Sequence, residues 1–339
     1  MTGPEAAWAG RFVDRESAAS FGHGALGPRL ARFLDWQADR WPRLAAARAG
    51  LAEVQVRAVQ AGGRRVLVQF NPARAVSTTA AVDATSVAAR PCFLCPAHLP
   101  AEERGLPFQT QWVLLANPAP ILPGHLVLAH RDHRPQAAVD ALPALVDLAA
   151  ATADRCAVIY NGPAAGASAP DHLHLQALDA GLLPEERVAW TTPEPPFLER
   201  PHLRAWAALE EGRTLIGFRG QPVRLKRALA AAVEALATVL GTPEEPRLNL
   251  LCTARGGDVL ALLFPRAAHR PACYFAPEPE RLAVSPGALD MAGALVSVRA
   301  ADFARLDAPT VAAIYREVSL APATLRPVLD LLQRRLSHA

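Results

Sequence analysis

The sequence has few lysines, no block of like charge and no long apolar run. Its 35 Lys and Arg residues nearly balance 32 Asp and Glu residues, giving a formal net charge of +3. The basic residues are scattered arginines, so no polybasic tract predicts binding to nucleic acid or to an anionic membrane. The longest apolar stretches, such as Ala141–Ala153, are shorter than a membrane span and contain Asp or Pro. We therefore expect neither a nucleic-acid partner nor a membrane-embedded chain.

Two common nucleotide-binding motifs and a targeting signal are also missing. No Walker-type lysine motif is present, and no Gly-x-Gly-x-x-Gly follows a predicted strand, so P-loop and Rossmann folds have no support. The segment Met1–Glu5 lacks the charged-then-apolar order of a secretory signal. Five cysteines with one close pair make a metal or redox site more plausible than a disulfide framework. We expect a cytoplasmic protein.

The composition is that of a globular protein. Hydrophobic residues form 51% and charged residues 20% of 339 residues, which fits one large domain or two packed halves. The proline-rich segment Thr191–Pro201 is either a linker or a loop packed across a sheet. We place the boundary there, which gives an N-terminal half at residues 1–190 and a C-terminal half at residues 191–339.

Hydrophobic periodicity predicts a mixture of helices and strands, and hence an α+β fold. Helices are predicted at Ser17–Glu53, Ala138–Ala153, Val223–Leu240, Pro309–Val318 and Ala323–Arg335. Strands are predicted at Val54–Val59, Val66–Phe70, Trp112–Ala116, His125–Ala129, Cys156–Tyr160, His172–Leu178, Arg213–Phe218, Leu248–Thr253 and Val259–Phe264. Two hairpins, with turns at Gly62-Gly63 and Gly256-Gly257, resemble each other and hint at a duplicated unit.

The most informative stretch is Asp171–Leu178, in which polar and apolar residues alternate. On a strand, this alternation places His172, His174 and Gln176 on one face and the leucines between them in the core. A solvent-exposed strand with two histidines is the plain alternative. Because a flexible Gly/Ala/Ser loop precedes three polar positions, the pattern favours a functional face.

This stretch resembles the His-x-His-x-Gln motif of the galactose-1-phosphate uridylyltransferase branch of the histidine-triad superfamily. The preceding residues Asn161, Gly166 and Ser168 resemble the Asn and the Gly/Ser loop that line the phosphate site of that branch. The run from Tyr160 to Ala177 is most similar to that of the GDP-hexose phosphorylases. The segment Asn117–His125 is similar to the Asn-Pro-(aromatic)-Pro segment of these enzymes.

The resemblance implies a uridylyltransferase-like antiparallel sheet with flanking helices, built from two histidine-triad-like halves. It also implies that His174 is the nucleophile, with Asn161 and Ser168 in the catalytic site and Gly166 in the phosphate site. A neutral imidazole can attack the α-phosphorus of a nucleotide and form a covalent intermediate. Gln176 cannot exchange a proton as histidine would, so its amide is suited to holding a phosphate oxygen. That difference favours transfer to a phosphate acceptor over hydrolysis.

A second cluster predicts a structural zinc site. A Cys-x-x-Cys pair, Cys92 and Cys95, is followed by several histidines, and thiolates with imidazoles form tetrahedral zinc shells. In the uridylyltransferases, such a pair binds zinc with a distant histidine and the first histidine of the motif, here His172. By family placement the distant ligand is His133, with His125 and His130 as alternatives. Reduced loop cysteines without a metal are the other interpretation.

Several residues near the hairpin ends are candidates for binding phosphate. They are Asn71 and Arg74 after the first hairpin and Arg266 and His269 after the second. A guanidinium group bonds phosphate oxygens in pairs, so either arginine can hold the β-phosphate or the acceptor. Surface arginine is common in this chain, so an ordinary structural role is equally open. The segment Ser285–Gly293 has the pattern of a turn and a helix start, to which the sequence assigns no role.

Taken together, the motifs predict an enzyme that phosphorolyses an NDP-sugar, such as a GDP-hexose, through a nucleotidyl-His174 intermediate. The partners would be a nucleotide or nucleotide sugar and phosphate, and the cofactor a structural zinc ion; a homodimer is left open. Uridylyltransferase-type exchange and phosphorolysis of a dinucleoside polyphosphate share the intermediate and differ in donor or acceptor. A non-catalytic, zinc-stabilised nucleotide sensor is the alternative from another class.

Overall fold

The computed structural model describes residues 7–75, 84–192, 194–242 and 244–337. Its helices are α1 (Arg15–Ser20), α2 (Leu26–Arg40), α3 (Pro42–Ala49), α4 (Ala84–Ala88), α5 (Ala138–Thr152), α6 (Pro184–Thr191), α7 (Pro222–Leu240), α8 (Ala288–Met291), α9 (Ala300–Arg305), α10 (Ala308–Val318) and α11 (Pro322–Ser337). Its strands are β1 (Gln55–Ala61), β2 (Arg64–Phe70), β3 (Leu106–Phe108), β4 (Trp112–Ala116), β5 (Leu126–His130), β6 (Cys156–Asn161), β7 (His174–Asp179), β8 (Pro196–Arg200), β9 (Leu203–Ala208), β10 (Leu215–Gly220), β11 (Leu248–Arg255), β12 (Asp258–Pro265) and β13 (Ala294–Ser297).

Helix ends follow local side-chain chemistry. The Asp307 carboxylate accepts a hydrogen bond from the Thr310 backbone N–H and so begins α10, as expected of an N-cap residue. Helix α7 ends at Gly241, whose φ of +62° places it in the left-handed region that favours glycine. No helix in the described part of the chain combines the length and apolar character that crossing a membrane requires.

A ten-stranded antiparallel sheet forms the centre of the molecule. Its strand order is β3-β4-β5-β7-β6-β11-β12-β10-β9-β8. In this order, the five strands from β3 to β6 come from the first half of the chain and the five from β11 to β8 come from the second. The halves join where β6 pairs with β11, with Cys252 opposite Val158 and Asn249 opposite Asn161. The predicted α+β class with an antiparallel sheet is confirmed.

The strand order is symmetric about the β6–β11 pair. Reading outwards, β6, β7, β5, β4 and β3 match β11, β12, β10, β9 and β8 in sequence order and in neighbours. In each half, one long helix, α5 or α7, precedes the strand at the centre. The architecture is therefore that of two similar halves. The hairpin comparison that hinted at duplication was wrong, because β1–β2 lies in a separate sheet and the counterpart of β11–β12 is β6–β7.

The large sheet is covered on both faces. One face packs on helices α2, α5, α7 and α11, with Leu175 of β7 in that core. The other face packs on the three-stranded sheet β1-β2-β13 and on α10, around residues such as Ile159. Along β7, Leu175 and Ala177 face the helices and are at most 1% exposed. The alternation predicted for this strand therefore turns His174 and Gln176 to the opposite face.

Three sequence-based expectations about the elements need correction. The strand expected from His172 begins at His174, because His172 lies in the preceding turn. The strand expected from His125 begins at Leu126. The segment Thr191–Pro201, expected to be a linker or loop, contains the outermost strand β8, whose first residue is Pro196. A proline is tolerated there because the first residue of an edge strand need not donate to a neighbour.

Candidate active site and metal centre

His174 is the first residue of β7, and its ring is buried and held in one tautomer. Nδ1–H donates to the His172 carbonyl oxygen at 2.8 Å, which leaves the lone pair on Nε2. The Gln136 side chain fixes the backbone on the other side, accepting from His174 N at 2.8 Å and donating to its carbonyl at 3.0 Å. Burial lowers the pKa of His174. The result is a neutral imidazole with Nε2 available as a nucleophile.

Gln176 lies two residues further along the same face and is held by His125. The backbone N–H of Ile121 donates to His125 Nδ1 at 3.1 Å, so the ring hydrogen of this neutral histidine is on Nε2. His125 Nε2 therefore donates to Gln176 Oε1 at 2.8 Å. Burial lowers the pKa of His125 to about 3, which keeps it neutral. With its oxygen engaged, Gln176 presents its two amide N–H donors to whatever anion lies beside His174.

Two adjoining cavities meet at these side chains. The His174 cavity, of about 490 Å³, is lined by His174, Gln176, Ser168 and Arg74 and extends along apolar walls towards Leu99. The Arg270 cavity, of about 80 Å³, shares Ser168, Gln176 and Arg74 with it. Cavities of this kind, concave and with a few convergent polar groups, are the usual form of ligand sites.

The Arg270 cavity is small and cationic. It is lined by two arginines, Arg74 and Arg270, and one buried acid, Asp290, with His269, Ser285 and the glycine-containing turn before α8. The Ser285 hydroxyl lies 2.9 Å from Arg270 Nε and 3.2 Å from His269 Nε2, bridging the two. Burial lowers the pKa of Arg74 to about 10, so it stays charged at neutral pH. The segment Ser285–Gly293, without a role in the sequence analysis, forms one wall of this cavity.

The other first-half candidates lie at the base of the Arg270 cavity. The Asn161 side-chain oxygen accepts from Ala288 N at 2.8 Å and from Asn249 Nδ2 at 2.9 Å, tying β6 to the start of α8. Gly166 has a φ of +100°, and a Cβ there would lie 3.1 Å from the Gly287 backbone. Its lack of a side chain therefore permits the two turns to approach closely.

Two of the predicted phosphate-binding residues, Arg266 and Asn71, are buried and bonded to other parts of the protein. Arg266 is 2% exposed, and its five N–H donors all bond to protein acceptors, among them Asn249 Oδ1 and the Val318 carbonyl. It has no donor left for a phosphate in this geometry. Asn71 is also buried; its backbone N–H donates to the Ser297 carbonyl at 2.9 Å, and it does not line either cavity.

The four predicted metal ligands lie together. One ligand atom from each of Cys92, Cys95, His133 and His172 falls within 4.8 Å of the other three. Nδ1 of His172 lies 3.3 Å from Cys92 Sγ and 3.6 Å from Cys95 Sγ, and Nδ1 of His133 lies 3.3 Å from Cys95 Sγ. Ligand atoms on a tetrahedral zinc ion lie about 3.3–3.8 Å apart. The cluster therefore fits a four-coordinate metal.

The histidines of this cluster are oriented from behind. His172 Nε2–H donates to the His130 carbonyl oxygen at 2.8 Å, and the Asp171 carboxylate lies 3.7 Å from His133 Nε2. Such outer partners fix the ring nitrogen that faces the metal. The alternatives do not join the cluster: the His125 ring bonds Gln176, and the buried His130 ring accepts from Asp132 N. Burial, followed by the neighbouring Cys92, raises the pKa of Cys95 to about 12, so a cation would be needed to hold it as a thiolate.

The metal centre adjoins the candidate active site at two points. His172 is two residues from His174 and accepts its Nδ1 hydrogen bond through the backbone carbonyl. The loop between the cysteines places Phe93 and Leu94 on the wall of the His174 cavity. A zinc ion bound to this cluster would therefore hold both the beginning of β7 and one wall of the His174 cavity.

Sequence reasoning overlooked two polar side chains of this site. Gln136 is 5% exposed and bonds both His174 and the Asn161 carbonyl, and Asn249 bonds Asn161 from the other half. Gln136 lies in an irregular loop, where no periodicity marks it. Asn249 stands inside an apolar strand, and a polar residue at a buried strand position is the one signal that would have identified it.

Comparisons with known proteins agree with this fold. A family model described as a domain of unknown function (DUF4922) matches residues 33–179, which contain the metal cluster and His174. A comparison with curated proteins found no match.

Among solved structures, the chain is similar to yeast Ap4A phosphorylase in complex with Ap4A, with a TM-score of 0.57 and 16% identity over 85% of this chain and 98% of that chain. The same enzyme in complex with AMP gives a TM-score of 0.56 and 15% identity over 85% and 96% of the chains. An ADP-glucose phosphorylase from Arabidopsis thaliana is more distant, with a TM-score of 0.38 and 15% identity over 79% and 100% of the chains. At these identities the likeness to the yeast enzyme establishes the fold alone, and the predicted antiparallel sheet with flanking helices agrees with it.

Proposed function

We propose that this protein is an enzyme that transfers a nucleotidyl group to phosphate through a covalent bond to His174 Nε2. The observation that carries this proposal is the state of His174. Its Nδ1–H is bonded to the His172 carbonyl, burial keeps the ring neutral, and the side chain lines a cavity that extends to a cationic pocket. A neutral imidazole with a free lone pair in such a place is suited to attack phosphorus.

The reaction would proceed in two displacements. The Nε2 lone pair of His174 attacks the α-phosphorus of the donor, and the bond from that phosphorus to the bridging oxygen breaks, so a phosphate-bearing fragment leaves with the electron pair. Gln176 donates its amide N–H groups to a non-bridging oxygen as negative charge develops there. An oxygen of the acceptor then attacks the phosphorus, and the P–N bond breaks to restore neutral His174. Zinc, when bound, supplies structural support only.

The acceptor is proposed to be inorganic phosphate because of the shape and charge of the Arg270 cavity. Its volume of about 80 Å³ suits a small anion, and Arg74 and Arg270 both line it next to Gln176. Guanidinium groups are the preferred partners of phosphate oxygens. Phosphorolysis therefore has better support than hydrolysis, for which no cationic acceptor pocket is needed.

Two donor classes are compatible with this site. The His-Leu-His-Leu-Gln-Ala run favours NDP-sugars, with GDP-hexoses first, which would give a nucleoside diphosphate and a sugar 1-phosphate. The structural likeness to yeast Ap4A phosphorylase favours dinucleoside polyphosphates as the second candidate. Both donors place an α-phosphorus at His174 and release a phosphate-bearing product.

The test is to trap the intermediate and then discharge it. Wild-type protein and His174→Ala are incubated with a panel of GDP-, UDP- and ADP-sugars and with Ap4A, and the mass of the intact protein is measured. We expect a nucleotidyl adduct on the wild type, none on His174→Ala, and rapid discharge by phosphate with ping-pong kinetics. Gln176→Ala should still bind nucleotide but form the adduct more slowly.

The outcomes separate the alternatives. Discharge only by a sugar 1-phosphate would replace phosphorolysis with uridylyltransferase-type exchange, and discharge by water at a comparable rate would indicate a hydrolase. Substantial turnover by His174→Ala would remove the covalent mechanism. If the protein binds nucleotides but forms no adduct with any donor of the panel, the alternative of a non-catalytic nucleotide sensor would replace the enzyme. Arg74→Gln should slow discharge by phosphate more than adduct formation, because only the second step needs the acceptor anion.

A further inference from the structure

The far end of the His174 cavity contains an acidic residue that the proposed chemistry does not use. Glu103 lines this cavity together with Leu99, Pro100 and Phe93, and it is only 3% exposed. Within the described part of the chain its carboxyl group makes no hydrogen bond and no ion pair. Burying a carboxyl group without a partner is costly. A buried, unpartnered acid on a cavity wall therefore indicates a ligand that supplies the missing donors.

The surroundings of Glu103 leave its carboxyl group desolvated and, among the described residues, without a hydrogen-bond partner. Burial raises its pKa to about 8, and Arg11, the charge that opposes this shift, does not restore the ordinary value. The Arg11 guanidinium is itself engaged, donating to the Pro100 carbonyl at 2.9 Å. At neutral pH the carboxyl group of the free protein is therefore mostly protonated, and two N–H donors brought by a ligand would lower its pKa and stabilise the ionised carboxylate in the complex.

The position of Glu103 suits the base of a nucleotide whose phosphorus lies at His174. Glu103 lies three residues before β3, and β4 and β5 separate β3 from β7. Three strand spacings place β3 and β7 about 14 Å apart across the sheet, and Glu103 and His174 line the same cavity, so a ligand with the dimensions of a nucleoside monophosphate can contact both. Apolar side chains form part of the cavity wall, with Leu94 and Leu115 buried and Phe93 43% exposed, alongside Arg43, Arg90 and His98. Such walls suit the faces of an aromatic base.

We propose that Glu103 is the residue that selects guanine, its two carboxylate oxygens accepting the N1–H and the N2 amino group of the base. Guanine alone among the common bases has two adjacent N–H donors of this kind, and an ionised carboxylate offers two adjacent acceptors. Adenine and cytosine place an acceptor beside their amino group, and uracil has one donor between two acceptors. This inference rests on the proposed function only for the position of the phosphorus.

The experiment compares the binding of GMP, AMP, UMP and CMP to wild type, Glu103→Gln and Glu102→Gln by titration calorimetry. Glu102 is the exposed neighbour of Glu103 and is the matched control. We expect wild type and Glu102→Gln to prefer GMP. Glu103→Gln should lose about 10- to 100-fold of that preference and gain affinity for AMP, because an amide pairs with adenine through one donor and one acceptor. Glu103→Asp, which keeps the carboxylate, should keep the order GMP before AMP.

Equal affinities of wild type for GMP and AMP, no nucleotide binding, or an unchanged preference in Glu103→Gln would overturn the proposal. If Glu103→Gln does not fold, as judged by circular dichroism, the wild-type and Glu103→Asp preferences decide. The binding measurement and the adduct measurement test the role of Glu103 and the proposed function separately. A GMP preference that depends on Glu103, with no adduct on His174, would contradict the proposed function alone. Adduct formation from all bases equally would contradict the role of Glu103 alone.

Discussion

At the scale of single residues, His174 depends on burial and on one backbone carbonyl. Burial lowers its pKa, so the nucleophilic neutral form persists below the pH at which an ordinary histidine, with a pKa near 6.5, becomes protonated. The rate of adduct formation from an NDP-sugar should therefore stay level as the pH falls from 8 to 6.5 and decline only at more acidic pH. Rapid-quench measurements across this range test it, and a loss of half the rate near pH 6.5 would contradict it.

His125 is expected to act through Gln176. Without its Nε2–H, the Gln176 amide is free to rotate and no longer aims both donors at the phosphate, so His125→Ala should slow adduct formation about 10- to 100-fold, as removal of an orienting partner usually does. The double variant with Gln176→Ala should be no slower than Gln176→Ala alone. His23→Ala, at an exposed histidine, is the control. Additive effects of His125→Ala and Gln176→Ala on the rate would assign His125 a separate, structural role.

The sequence identified the motif residues of the candidate site better than the residues that position them. The alternating run around His174 and the Cys-x-x-Cys pair could be recognised because a few adjacent residues define them. The choice between a phosphate-binding and a structural role for Arg266 stayed open because a sequence does not show that five carbonyl and amide oxygens, three of them from distant segments, surround it. Gln136 and Glu103 lie in irregular loops, and their importance arises only when the sheet brings those loops beside His174 and its cavity.

At the scale of elements, the loop Cys92–Cys95 links metal binding to the cavity wall. Purified protein should contain about one zinc ion per chain, with Zn–S distances of about 2.3 Å by X-ray absorption. Cys92→Ser should lower the zinc content and the melting temperature together, because the free energy of metal binding is part of the free energy of folding. The affinity for nucleotides should fall as well, since Phe93 and Leu94 line the cavity.

The controls for the metal prediction lie inside and outside the cluster. Cys273→Ser, outside the cluster, should leave the zinc content unchanged. Asp171→Asn removes the carboxylate 3.7 Å from His133 Nε2 and should weaken zinc binding about 10- to 100-fold without abolishing it. Zinc-free protein with a normal melting temperature, prepared without chelator, would disprove the structural role of the metal.

Elements with a strong period were predictable, and short edge elements were not. The strand Trp112–Ala116 and the helices around Ala138–Thr152 and Pro222–Leu240 were predicted within a residue or so of their observed ends, because each buries a continuous apolar stripe. The strands β3, β8, β9 and β13 were missed. β3 has three residues and β8 begins with proline, so pairing with a neighbour, rather than local preference, makes them strands.

At the scale of the whole molecule, one sheet runs through both halves. The boundary predicted near residue 190 separates two sets of strands, but β6 and β11 pair across it in the middle of the sheet. Halves expressed separately as residues 1–190 and 191–339 would each expose a central, apolar strand edge, which promotes aggregation. We expect each half to be insoluble alone and the two to recover nucleotide binding when produced together.

Size-exclusion chromatography and circular dichroism of the three preparations check this expectation. A chain cut near residue 190 only after folding should remain assembled, because the cut does not disturb the β6–β11 pairing. A soluble half that unfolds cooperatively on its own would show that the halves are independent domains and would contradict the expectation.

The near-symmetry of the sheet affects how substitutions in one half of the chain act on the other half. β12, which occupies the place of β7 in the second half, contains no histidine, so the strand that bears His174 has no second copy. In a dimer of identical chains, one substitution alters both symmetric positions at once. Here each half can vary alone, and the half without His174 contributes Arg270, Ser285 and Asn249 to the candidate site of the other half. The two halves thus form one asymmetric unit, in which substitutions in the second half can alter the surroundings of His174 without altering the strand that bears it.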